Sequence, residues 1–306
     1  MDYIIVVFFS IFLNLAFKKL FLERGLIDNI NHRSSHNSVA LRSGGTIIFI
    51  IIVSYSGYLY FLGKQPYDFS FLLPLSILYV IGLYDDLKGL DFTLKFIFQI
   101  IAAKLLIDIG YVIDIFSIFG YEYTFTRIIS QLISIILFVS IFNAYNFIDG
   151  IDANIHLETI KNITLLLLLF NFSPELHKLS IFCILVVFIN LIFNVNKRIK
   201  IFTGDSGSLI IPVILLMLVF EGIKFNSDQN SIKYIFILLF YPLFDLIRVV
   251  IIRIRSRKSP FMPDKNHLHH RVIKIFGGHV KSSIFILFTV TLIQAILVYL
   301  SQIKVT

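Results

Sequence analysis

Four polar clusters carry residue types able to do chemistry. The first is Gly82-Leu83-Tyr84-Asp85-Asp86-Leu87-Lys88-Gly89-Leu90, with Lys95 and Gln99 just beyond it. Adjacent carboxylates repel each other, so one of them holds its proton more tightly. The pair suits a base or a ligand for a divalent cation, and taken alone it also reads as a solvated loop. Lys95 would meet a lipid phosphate at the membrane interface. The second cluster is Asn143-Ala144-Tyr145-Asn146-Phe147-Ile148-Asp149-Gly150-Ile151-Asp152. In a helix, three- and four-residue steps stack Asn143, Asn146, Asp149 and Gly150 on one face. Amides and carboxylates so arranged suit a metal, a nucleotide or a sugar. So many polar groups straight after an apolar helix are costly unless paired or functional.

The third cluster, Thr203-Gly204-Asp205-Ser206-Gly207-Ser208, allows close backbone approach to a ligand. Asp205 is a candidate magnesium ligand, with substrate phosphates sharing the ion. An ordinary turn and N-cap would explain the same residues. The fourth runs from Ser259-Pro260 to His267-Leu268-His269-His270-Arg271. Three imidazoles in four positions could hold a transition metal, but no cysteine or Glu-x-x-His partner accompanies them. Beside Lys265 and Arg271 they fit a diphosphate better. A fifth, basic element holds Asp28, Arg33-Ser34-Ser35-His36 and Arg42-Ser43-Gly44-Gly45. Membrane topology accounts for its charge.

The elements that must position these clusters are membrane helices. Of 306 residues, 57% are hydrophobic, and mean hydropathy is +0.87. The excess falls in long apolar runs, and roughly 20 such residues span the hydrocarbon. Ten spans are expected (nine to eleven), near 3–20, 46–62, 69–84, 94–110, 127–145, 158–173, 178–193, 208–222, 231–252 and 282–301, in a single domain, 1–306. The fold class is all-α and polytopic. The first apolar run has no basic segment before it and is followed by Lys18 and Lys19, so it reads as a retained span.

Ten spans sort the loops into two sets. Twenty of the 27 Lys and Arg residues fall in one set; Lys64, Arg127, Lys178, Lys224, Lys233 and Lys304 fall in the other. The positive-inside rule puts the basic set, with every polar cluster above, in the cytoplasm. The same rule explains the net charge of +8 without nucleic acid. Lys104 and Asp108 are the charges expected inside spans, both near the outer end, where Lys104 snorkels. Residues 110–126 are expected to form a small outer hairpin. The one cysteine, Cys183, excludes an intrachain disulfide.

The order of the clusters matters more than any one of them. Asp85-Asp86 with Lys95…Gln99, Asn143-x-x-Asn146-x-x-Asp149-Gly150-x-Asp152, Gly204-Asp205-x-Gly207-Ser208 and His267-x-His269-His270 occur in one sequence. The chain resembles the polyprenyl-phosphate N-acetylhexosamine-1-phosphate transferases (glycosyltransferase family 4) from about Asp28 to Arg271. The run Pro263-Asp264-Lys265-Asn266-His267-Leu268-His269-His270-Arg271 is similar to the N-acetylglucosamine branch rather than the peptidoglycan branch. The resemblance implies a bacterial inner-membrane enzyme with a cytoplasmic active site. It implies transfer of a sugar-1-phosphate from a UDP-sugar to undecaprenyl phosphate with release of UMP, priming O-antigen or cell-wall polymers, with Mg2+ or Mn2+ and a homodimer as an option.

By that resemblance Asp85 would deprotonate the lipid phosphate and Asp86 would support it. Asp205, with Asn146, would hold the metal, and Asp149 would contact or position the nucleotide. Lys95, Asn143, Asp152, His267, His269, His270 and Arg271 would bind substrate. The sequence departs from the family at Ala153-Asn154, where Gly-Leu is usual, and at Asn37-Ser38-Val39-Ala40-Leu41, where prolines are common. Two other readings compete. An aspartate-rich prenyltransferase needs a second Asp-x-x-x-Asp motif and leaves the histidines unexplained. A transporter needs midplane charges and broken helices.

Overall fold

Apolar runs in hydrocarbon can satisfy their backbone polar groups only within the segment, so they fold as helices. The computed structural model describes residues 2–23, 40–118, 121–196, 200–226, 231–259 and 266–302. Asp28, Arg33 to His36, Gly120, Lys197, Arg198, residues 260–265 and Lys304 lie outside them. The helices are α1 (Asp2–Glu23), α2 (Gly44–Phe61), α3 (Leu72–Lys88, entered by a 3-10 turn Phe69–Phe71), α4 (Phe92–Asp108), α5 (Arg127–Ile148) and α6 (Asn154–Leu169). They continue with α7 (Pro174–Val195), α8 (Gly204–Asn226), α9 (Ser231–Leu238), α10 (Phe240–Arg255), α11 (Leu268–Phe276) and α12 (His279–Gln302).

Seven of these helices are long and apolar enough to cross a membrane, or eight if the bent pair α9–α10 is one span. By that length criterion the number is below the expected ten. All ten expected spans coincide with helices, but α4 and α6 have 17 and 16 residues. At 1.5 Å per residue they reach about 24–26 Å, short of the roughly 30 Å hydrocarbon core. The ninth expected span is broken by 82° between Leu238 and Phe240. Pro242 has no N–H to offer the carbonyl of Leu238. Gln294 of α12 supplies the missing donor, with its amide 2.8 Å from that carbonyl and 2.9 Å from that of Ile237.

Helix α8 is the axis of the bundle. Nearly all its residues from Gly204 to Ile223 are buried, and α2, α3, α5 and α6 pack around it. Two short strands, β1 (Ala40–Leu41) and β4 (Lys200–Ile201), pair in parallel. They bring the first turn of α2 against the entry to α8: Gly44 and Gly45 donate their N–H groups to the carbonyls of Phe202 and Thr203 at 3.0 and 2.9 Å. The expected hairpin is present as β2 (Ile115–Ile118) paired antiparallel with β3 (Tyr121–Thr124). Cys183 is buried in α7.

Lys104 and Asp108 pair on the exposed side of α4. They are not the whole set of in-span charges. Glu158 and Lys161 in α6, and Asp245 and Arg248 in α10, also lie within the expected spans, each as a pair three residues apart. Pairing is what lets such groups sit in an apolar bundle.

Candidate active site

The turn between α3 and α4 is built to fold back on itself. Gly89 ends α3 in a positive-φ conformation, and Asp91 caps α4 by accepting the N–H of Thr93 at 2.9 Å. This returns Lys95, on the first turn of α4, to Asp85 on the last turn of α3. The Lys95 ammonium donates to Asp85 at 2.9 Å and to Asp205 at 2.6 Å. Asn146, at the end of α5, donates its amide to the other oxygen of Asp205 at 2.6 Å and to Ser208 Oγ at 2.9 Å. Four helices thus deliver Asp85, Lys95, Asn146 and Asp205 to one point.

Asp86 has a different place from its neighbour. Its side chain is 1% exposed, with Arg42 3.6 Å away. Its two oxygens accept the backbone N–H groups of Asp205 and Ser206 at 2.8 and 3.0 Å. It caps the N-terminus of α8 from another helix, where the dipole favours an anion. Gly204 makes this possible. Its φ is +71°, and a Cβ there would lie 2.5 Å from the Asp86 carboxylate.

Asp149 follows α5. Burial, then the charges of Asp205 and Asp86, hold its carboxyl well above the usual range. Asn143 donates to Gln99 at 2.7 Å, joining the two motifs across α4 and α5. Asp152 goes elsewhere. It accepts from Lys200 at 2.8 Å and lies 3.4 Å from His279. Burial works to raise its pKa, but those two partners hold it below the usual carboxylate range.

The histidines meet the aspartate region through the end of α5. The His267 ring lies 5.0 Å from that of Phe147, and His269 stacks on His267 at 5.7 Å. Gly150 leaves room for His269, since a Cβ there would collide with the imidazole. Burial, then the neighbouring charges of His270 and His267, push His269 down to about 3, so it is neutral at physiological pH. His270 packs on His269 at 4.2 Å. Arg271, on the first turn of α11, is exposed.

Asp245 and Arg248 are missing from the motif-based site, yet Asp245 holds His267 at 2.9 Å. The signal was a charged pair three residues apart in an otherwise apolar span.

Beside the cluster lies a groove of about 620 Å³ between α4, α5 and α10. Its walls are apolar, among them Phe92, Phe96, Ile100, Ile135 and Leu246; its polar lining includes Lys95, Asn143, Asn146 and Arg253. An apolar slot bordered by cations and amides fits an amphiphile with an anionic head.

No cluster of three or more His, Cys, Asp or Glu able to hold a metal by itself occurs among the described residues. The histidines therefore form no zinc-type site there. Asp85, Asp205 and the Asn146 amide offer the oxygen types a hard cation takes, with its remaining ligands from a substrate, once the Lys95 and Asn146 hydrogen bonds that occupy the Asp205 carboxylate give way.

Comparison with known proteins agrees with this geometry. The model of glycosyl transferase family 4 matches residues 69–223. A protein of Salmonella typhi named undecaprenyl-phosphate alpha-N-acetylglucosaminyl 1-phosphate transferase is 26% identical, over 96% of this chain and 80% of its own. A decaprenyl-phosphate N-acetylglucosaminephosphotransferase of Mycobacterium tuberculosis is 29% identical, over 83% of this chain and 70% of its own. An Escherichia coli K12 protein with the same name as the Salmonella one is 24% identical over 93% of this chain and 78% of its own.

Proposed function

The chain belongs to glycosyl transferase family 4, and we propose that it transfers N-acetylhexosamine-1-phosphate from a UDP-sugar to undecaprenyl phosphate, giving the lipid-diphospho-sugar and UMP. The observation that carries this reading is the groove that borders Lys95 and Asn146, whose partner Asp205 lies between them. An isoprenoid chain fills the apolar walls, and its phosphate meets the Lys95 ammonium. The relatives named above act on undecaprenyl or decaprenyl phosphate.

In the transfer, a lipid phosphate oxygen forms a new bond to the sugar-linked phosphorus, and the bond from that phosphorus to the oxygen of UMP breaks. Asp85 takes the proton of the lipid phosphate. Asp86 keeps the first turn of α8 in place. Asp205 and Asn146 hold Mg2+ or Mn2+, which when bound offsets the charge of the donor diphosphate. Asp149 contacts the nucleotide. His267, His269, His270 and Arg271 receive the diphosphate. Asp152 bears on this site through its salt bridge with Lys200 rather than by joining the Asp205 group. The active site faces the cytoplasm of a bacterial inner membrane, and α4 and α6 complete ten spans as short helices packed against full-length neighbours.

The test is an assay with magnesium, undecaprenyl phosphate and a panel of UDP-N-acetylhexosamines, with the lipid product read by mass spectrometry. The expected result is UMP release with a lipid-linked sugar for at least one donor. No product from any donor, with folded protein, overturns the reading.

A further inference from the structure

Asp245 lies on α10, far in sequence from the clusters that suggest chemistry, and is 1% exposed. Three N–H donors converge on its carboxylate. One oxygen accepts Leu268 N–H at 2.9 Å and Arg248 Nη2 at 2.7 Å. The other faces His267 Nδ1 at 2.9 Å. Arg248 also donates to the carbonyl of Asn266 at 2.6 Å, which fixes the residue before His267. A carboxylate so placed acts as acceptor, so Nδ1 carries a proton toward it and Nε2 is the nitrogen left to face a substrate, where it donates to an anion once the ring holds its second proton. His267 stands at the N-cap of α11, against Phe147 of the Asn146–Asp149 segment.

We propose that Asp245 is a positioning residue for the transfer, holding Nδ1–H of His267 and the first turn of α11 so that the ring, as an imidazolium when the UDP-sugar is bound, donates Nε2–H to the diphosphate. This rests on the reading of His267 as a diphosphate-binding residue. A plainer role, as a cap for α11 alone, would use the bond to Leu268 N–H and be indifferent to the ring. Elsewhere the carboxylate behind a working histidine stabilises the imidazolium, and an amide in its place leaves the geometry intact but withdraws that support.

The experiment uses the full chain in detergent with UDP-N-acetylglucosamine and undecaprenyl phosphate, and compares D245N, H267Q and the double variant. D245N is expected to raise the KM for the UDP-sugar about 10- to 100-fold and leave the KM for the lipid within about twofold, while D245E restores part of the loss. The double variant is expected to be no worse than H267Q, because Asp245 acts through the ring. Additive losses, or equal rises in both KM values, overturn the proposal. If D245N does not fold, D245E and D245E/H267Q take its place under the same criteria. Wild-type KM values in H267Q would remove the diphosphate role of His267 and the proposal with it; the family reading would stand on the intact transfer activity.

Discussion

Two buried polar regions lie side by side in this apolar bundle, and they are made from the same residue types. One is the site at Asp85, Asp86, Asp149 and Asp205. The other joins α5, α6 and α12: Glu158 accepts from Lys161 at 2.7 Å and Asn162 at 3.1 Å, Asn162 donates to Tyr145 at 2.8 Å, and Gln294 bridges to the bend of α9–α10. In the second region one carboxylate meets one ammonium, and amides and a phenol complete the pairing. In the first, Asp85 and Asp205 share the one ammonium of Lys95, and Asp86 caps α8 with Arg42 nearby. Burial of polar groups is common to both, so burial does not mark the site. Two carboxylates sharing one ammonium beside an open groove do, because such a pair can take a cation and its phosphate ligands.

The comparison breaks most sharply at Asp205. Asp205→Asn keeps the shape and removes the charge. Turnover is expected to fall about 100- to 1,000-fold, measured as UMP release per folded molecule, with the unfolding temperature in detergent close to wild type. A folded D205N variant with normal turnover would put Asp205 in the same class as Glu158. The opposite outcome is expected at Lys161. Lys161→Met leaves Glu158 buried without its ammonium, which costs about 3–5 kcal/mol. The loss is to appear in thermal unfolding, with activity per folded molecule retained. A stable but inactive K161M would merge the two regions into one functional unit.

Much of this contrast was legible in the sequence, and the illegible part has physical causes. Asp85, Lys95, Asn146 and Asp205 announce themselves because carboxylates and amides at the ends of apolar helices need a reason, and three- and four-residue steps put them on one face. Sequence spacing gives no distances between helices, so nothing foretold that Asp86 would cap α8 while Asp85 turned to Lys95. Asp152 reads like its neighbours; Lys200 and His279, distant in sequence, draw it away. Asp245 was hidden because its partner, His267, is 22 residues away. The span count is least legible where hydropathy is sufficient but helix length is short, at α4 and α6, and where Pro242 breaks α9–α10.

His269 sharpens the comparison, since it belongs to the site by sequence yet is held uncharged. Its folded value is pushed down to about 3, against roughly 6.5 when unfolded. Between those values the unfolded chain binds a proton that the folded chain refuses. Stability is therefore full above pH 6.5 and declines as pH falls toward 3. Between pH 6.5 and 5 the decline from this residue is about 2 kcal/mol. His269→Phe should flatten that slope, seen as unfolding temperatures at pH 7 and 5. An unchanged slope would mean that His269 already carries its charge in the folded protein.

The smallest effect tests the joint between the regions. Ala153 has φ +69°, which costs an L side chain about 1–2 kcal/mol. Its N–H donates to Asn194 at 2.8 Å, so the neighbouring helix α7 holds this turn in shape. On one side Asp152 is tied to Lys200; on the other, Asn154 donates to Tyr241 at 3.0 Å and to the carbonyl of Ile148 at 2.8 Å. Glycine at 153 removes the steric cost. It also frees the unfolded chain, which takes back about 0.4–1 kcal/mol. The difference leaves Ala153→Gly more stable by about 0.5–1 kcal/mol, measured by thermal unfolding, with KM and kcat unchanged. If kcat rises or falls with stability unaltered, the turn transmits between the regions, and the enclosed network is part of how the site works.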